Sequence, residues 1–177
     1  DAVSSLASAG KVPGSGGITV TVGADGSLTV DATSTTALTG DYTFTYTLDN
    51  GVAQSTADVS IQVQAAPVAV DDEFNVDLDG TLSGNLTDDN GAGADQLGHP
   101  AAEVVSFGGG DLSGNVDAHQ AGETVTLAGG ELTVNADGTF TLENPTDLGD
   151  FSFQYRLTND AGSDVASVTI QVRLSPT

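Results

Sequence analysis

Acids dominate the side chains that could do chemistry: 25 Asp and Glu stand against three Lys and Arg, for a formal net charge of −22. Asp outnumbers Glu twenty to five. Asp is short, favours turns, and places a carboxylate close to the backbone, where hard cations are held by loop oxygens. Calcium takes six to eight such oxygens. Asp71 and Asp72 follow a short Pro-containing segment, and Asp88, Asp89, Asn90 and Asp95 occupy a Gly-rich loop able to fold back toward it. If these six converge they form a candidate calcium site that stiffens the joint; the competing reading is a set of solvated turn acids on a surface adapted to salty water. Asp49, Asn50, Asn159 and Asp160 are read as ordinary turn residues. None of this spacing is that of an EF-hand or of a nonapeptide calcium roll.

Other chemistry finds little to work with. His99 and His119 lie in loops and are read as surface residues, Cys is absent, and no nucleophile-elbow, zinc-helix or phosphate-loop pattern occurs. Carboxylate pairs are too numerous to single out a glycosidase pair, and few aromatics are available to stack on a sugar. The expectation is a protein that is not an enzyme. Three cations cannot neutralise a phosphate backbone, so nucleic acid is excluded as a partner, and the same field opposes anionic lipid. No hydrophobic run is long enough to span a bilayer, so direct membrane insertion is not expected. With no initiator Met and no signal peptide, the chain is expected to be processed, excised or part of a longer protein.

The elements that must position these acids repeat. Residues 40–63 align without gaps on residues 149–172, with eleven of twenty-four positions identical at an offset of 109. Upstream, residues 16–30 match residues 129–142 with one residue inserted in the first copy. The second copy also carries about thirty-five residues, from Pro67 to roughly Glu103, with no counterpart in the first. The chain therefore divides into a partial module over residues 1–66, lacking its opening strands, and a complete one over 67–177. Residues 1–17 read as a loop or frayed tail. The partial module is either a fragment of a longer array or an acceptor for strands from elsewhere.

Within the copies the apolar period is two, which means strands. Ile18, Val20 and Val22, then Leu28 and Val30, form a hairpin closed at Ala24-Asp25-Gly26; Leu132, Val134, Phe140 and Leu142 repeat it around Asn135–Gly138. Phe44, Tyr46 and Leu48 pair with Val59, Ile61 and Val63, and Phe153, Tyr155 and Leu157 with Val168, Ile170 and Val172. Tyr46 and Tyr155 are read as core aromatics with the hydroxyl at the rim, in preference to tyrosine-corner residues. Val68 and Val70, then Phe74, Val76 and Leu78, suggest the first strands of the complete module. Residues 85–100 and 111–122 read as insertions hanging off it. Short strands with Gly and Asp turns in modules near one hundred residues point to an all-β fold of tandem immunoglobulin-like or cadherin-like Greek-key sandwiches, the first incomplete at its N-terminus, with a barrel of this size as the runner-up. The four residues Gln64–Pro67 leave little freedom between the modules.

Particular residues resemble a known pattern. Ala69-Val70-Asp71-Asp72, then Val76 to Leu86 (VDLDGTLSGNL) and Asp88-Asp89, resemble the opening of bacterial cadherin-like tandem repeats of the VCBS type. Asn135 to Thr141, Phe153 to Asn159 and Ala166 to Val172 resemble its second half. The resemblance covers residues 67–172 and, for the second half alone, residues 16–63. It implies a very large secreted or surface-attached bacterial protein of the RTX-adhesin kind, with roles in extension, adhesion or carbohydrate contact and with bound calcium. The family loop is richer in carboxylates than residues 87–95 (TDDNGAGAD). Three functions follow as expectations: an extracellular stiff spacer or adhesive stalk module whose partners are neighbouring repeats, surface glycans or a host-cell surface; a self-assembling filament, fibre or virion-decoration subunit; and a non-catalytic carbohydrate-binding module.

Overall fold

The computed structural model describes residues 19–23, 26–31, 39–49 and 51–175, with no side-chain description at Thr19 and Val22. The remaining residues, among them residues 1–18, Ala24, Asp25 and Asn50, fall outside it. Every regular element described is a strand apart from one short 3-10 turn. The chain divides into two compact units, residues 1–64 and 65–177.

Among its described residues the first unit has four strands. Thr19–Val22 (β1) pairs antiparallel with Leu28–Asp31 (β2), and Gly40–Asp49 (β3) with Gln54–Val63 (β4). The β3–β4 turn is held by the Asp49 carboxylate, which accepts the Gly51 N–H at 2.7 Å. Gly51 has φ 82°, a conformation that costs glycine least.

Among its described residues the second unit has nine strands: Asp72–Asp77 (β5), Thr81–Asn85 (β6), Glu103–Gly108 (β7), His119–Gln120 (β8), Thr124–Leu127 (β9), Gly130–Val134 (β10), Thr139–Glu143 (β11), Gly149–Asn159 (β12) and Gly162–Arg173 (β13). They form a four-stranded sheet in the order β6-β11-β10-β9 and a five-stranded sheet in the order β5-β13-β12-β7-β8. All pairs are antiparallel except β5 with β13, which run parallel from Asp72↔Val168 to Asp77↔Arg173. Non-consecutive strands sit side by side (β6 with β11, β7 with β12), and the chain crosses between sheets after β5, β6, β8 and β11. This is an immunoglobulin-like Greek-key sandwich.

Period-two alternation accounts for the core. Leu132, Val134, Phe140 and Leu142 from one sheet meet Val104, Phe107, Phe153, Tyr155, Leu157, Val168, Ile170 and Val172 from the other, all buried. Two aromatic contacts lie within that core: Phe74 on Phe140 at 4.8 Å between ring centroids, and Phe107 on Phe153 at 6.3 Å. Gly84 on β6 permits the first, because a Cβ there would stand 2.9 Å from the Phe140 ring and 3.2 Å from that of Phe74.

The segments read as hanging insertions are tied down. Arg156 on β12 grips Asp117 through Nε at 2.8 Å and Nη2 at 3.1 Å, and Ser106 donates to the same carboxylate at 2.8 Å. Asp111 accepts the Ser152 N–H at 2.6 Å. Their few apolar residues concealed this, since the anchoring is polar.

Candidate functional site: a carboxylate clasp on the opening segment

The second unit enters its sandwich through residues 65–71, which make isolated bridges rather than a strand: Ala65 with His99 and Val68 with Gln96. An irregular segment leaves backbone groups that ladder hydrogen bonds cannot satisfy, and buried ones must find side chains. Here they do. The Asp164 carboxylate accepts the Ala69 N–H at 3.0 Å, and Asp95 accepts the Val70 N–H at 2.7 Å. Asp71 accepts the Ser167 N–H of β13 at 2.8 Å. Asn159, at the end of β12, donates to Ala65 O at 2.8 Å and Pro100 O at 2.7 Å, while its own oxygen receives the N–H groups of Ala161 and Gly162 in the β12–β13 turn.

Tyr155 closes this clasp from the core side. Its ring is fully buried and its hydroxyl donates to Asp95 Oδ2 at 2.7 Å; Val70 O and Leu86 O lie 3.2 and 3.3 Å from the same oxygen. A phenol has one proton, and the shortest contact, to a carboxylate, is the strongest claim on it. Burial and this hydrogen bond push the Tyr155 pKa well above that of a free phenol. The expectation of a plain core aromatic with a rim hydroxyl is thereby corrected. The Asn85–Pro100 loop, read as an insertion, folds over the hydroxyl and supplies Asp95 and the Leu86 carbonyl.

Asp72, the first residue of β5, is the most unusual group. It is 1% exposed, and its Oδ1 accepts the Asn90 amide at 3.1 Å, while its Oδ2 is buried with no hydrogen-bond partner. Burial raises its pKa to about 7; the Asn90 bond lowers it, and repulsion from Asp95 and Asp71 adds to the rise. Asp95 is also raised, by burial, against the lowering effect of its bonds from Tyr155 and Val70.

The structure therefore brings three of the six expected calcium ligands, Asp72, Asn90 and Asp95, into one network. Asp71 faces β13, Asp89 accepts the N–H groups of Gly91 and Gly93 in its own turn, and Asp88 offers its carbonyl to Asn90. Asn90 turns its nitrogen, not its oxygen, toward Asp72, Asn85 O and Asp88 O, at 3.1, 2.8 and 3.0 Å. Both Asp95 oxygens already hold donors. Among the described residues no three His, Cys, Asp or Glu side chains gather to hold a metal ion. In this arrangement the donor set does not fit calcium: an amide NH₂ stands among the oxygens where a cation would be needed.

Tyr155, Asn159 and Asp164 are members of the clasp that spacing alone did not assign. Tyr155 and Asn159 are identical in both copies, at the positions of Tyr46 and Asn50, and that identity was the available signal. His119 stacks on Phe107 at 5.6 Å and lies 3.6 Å from Glu123, and the His99 backbone is bonded to Ala65.

No protein-family model matches the chain, and no curated protein matches it. Solved structures similar to it include an endo-fucoidan hydrolase of glycoside hydrolase family 107 (16% identity over 96% of this chain and 23% of that one, TM-score 0.41), a three-domain immunoglobulin fragment of titin (17% over 93% and 52%, TM-score 0.45) and the insect immune protein hemolin (18% over 81% and 32%, TM-score 0.43). The chain spans between about a quarter and about half the length of these structures.

Proposed function

We propose that the chain is a structural repeat module of an extracellular bacterial surface protein, acting as a stiff spacer in an adhesive stalk. The observation that carries this is the anchoring of the opening segment. β4 ends at Val63, and Ala65 is already bonded through both its N–H and its carbonyl to His99, leaving Gln64 alone between two hydrogen-bonded segments. A connection that short has little conformational freedom of its own. The residues that distinguish the second unit's interior hold backbone rather than converge on a cleft, which suits a load-carrying element. The acidic surface suits a partner that is neither nucleic acid nor anionic lipid.

The test is to insert six Gly/Ser residues after Gln64 and to place one spin label in each unit. The native chain is expected to give a narrow distance distribution and the insertion a broad one. Equally broad distributions in both would refute the stiff spacer.

A further inference from the structure

The two units contain the same pair of hairpins in the same register. In β3–β4, Gly40 faces Val63, Phe44 faces Val59 and Tyr46 faces Ala57; in β12–β13, Gly149 faces Val172, Phe153 faces Val168 and Tyr155 faces Ala166. Likewise Val20↔Val30 and Val22↔Leu28 repeat Leu132↔Leu142 and Val134↔Phe140. What differs is what covers them. Leu157 and Leu142 are 0% exposed and Phe140 1%, whereas Leu48 is 47%, Val30 38% and Leu28 44% exposed. Tyr46, Val59, Ile61 and Val63 are half-buried, while Tyr155, Val168, Ile170 and Val172 are fully buried.

The second unit shows what performs the covering. β5 lies along the outer edge of β13, β7 along that of β12, and β6 along that of β11. These three strands have no counterpart among the described strands of the first unit. They also bring every partner of the Tyr155 hydroxyl: Val70 O, Leu86 O and the Asp95 carboxylate.

We infer that the first unit is an acceptor for the opening part of a further repeat of this same type. The occupant is a segment with the alternation of β5, β6 and β7, laid parallel on β4 and antiparallel on β3 and β2, with a carboxylate and two carbonyls delivered to Tyr46. Three edges for three strands make the stoichiometry one segment per chain. A second copy of this chain is not the occupant, because lending its own β5 to β7 would uncover Phe140, Tyr155, Leu157 and Ile170 in its second unit. The inference stands on the internal repeat and does not require the spacer role, so either can fail alone.

The probe is the full chain carrying an additional copy of residues 67–112 fused ahead of Asp1 through a flexible linker, followed by hydrogen exchange. Amides of residues 44–48 and 59–63 on the outer edges of β3 and β4 are expected to reach the protection of their counterparts in β12 and β13, which serve as the internal folding control. Tyr46→Phe in the fusion removes one hydrogen bond to a carboxylate and is expected to lower that protection about tenfold. A control extension with Ser at the positions of Phe74, Val76, Val104 and Phe107 is expected to give none. Unchanged exchange in the fusion while β12–β13 stays protected overturns the inference, and so does equal protection by the Ser control.

Discussion

Replacing Asp72 with Asn tests whether a buried acid weakens the second unit at neutral pH. The Asp72 pKa is raised from 3.8 to about 7. An acid with a raised folded-state pKa is neutral in both states below about pH 4. Between pH 4 and 7 it ionises in the unfolded chain but resists ionising in the folded one, so stability falls as pH rises. Above pH 7 the loss is complete. A rise from 3.8 to about 7, with a tenfold change in ionisation equilibrium costing about 1.4 kcal/mol, puts that loss at about 4 kcal/mol. Asn keeps the shape and can still accept from Asn90, but its own NH₂ then takes the unpartnered position, at a cost of about 1–3 kcal/mol. The wild type is therefore expected to be the more stable at pH 4 and the variant at pH 8, with the difference between them moving by about 4 kcal/mol. Urea unfolding followed at the Ile170 methyl resonance reports the second unit alone, and the carboxylates other than Asp71 and Asp95, which repel Asp72, titrate in both proteins and cancel. Parallel stability curves from pH 4 to pH 8 would refute the reasoning.

Other perturbations separate the parts of the clasp. Tyr155→Phe preserves the packed ring but strips Asp95 Oδ2 of its donor while the Val70 N–H stays on Oδ1, and urea unfolding should show a loss of about 1–3 kcal/mol at pH 7. Asn159→Ala should cost a similar amount and should raise hydrogen exchange selectively at Ala65 and His99, whose mutual bonds it supports. Gly84→Val drives a branched side chain into the Phe74–Phe140 contact and should destabilise by about 1–3 kcal/mol, read as a lower urea midpoint. Because the Asn90 amide occupies the centre of the acidic loop, thermal melts in millimolar calcium and in chelator at equal ionic strength should superimpose; a rise of several degrees with calcium would reinstate the cation.

Strands and their pairing were legible in the sequence because the sandwich exposes one face of most strands and buries the other. Phe153, Tyr155 and Leu157 against Val168, Ile170 and Val172 therefore announce themselves at period two. The duplicated hairpins were legible for the same reason, with the identical residues marking the register. The clasp was legible only in part. Asp72, Asn90 and Asp95 were selected as oxygen-bearing groups near the joint, and they do meet. Their composition could not reveal that one would donate through nitrogen, or that the acceptors would be spent on the backbone of residues 65–71. Val68 and Val70 looked like strand residues by alternation, yet their N–H groups bond to a loop carbonyl and a carboxylate. Long-range polar contacts of this kind, such as Asp71 with Ser167, have no period for a sequence to display.

The parallel pairing of β5 with β13 has a mechanical consequence. Chain tension enters this unit before Asp72 and leaves after Arg173, and these residues stand at opposite ends of the paired strands. Pulling on the two ends slides one strand along the other, so all the bonds of the ladder are loaded together. An antiparallel pair gripped at one end would instead peel open a bond at a time. The side chains of Asp71, Asp95 and Asp164, which hold the segment just ahead of that ladder, therefore take up strain first, and the rupture that follows must break the whole β5–β13 ladder at once.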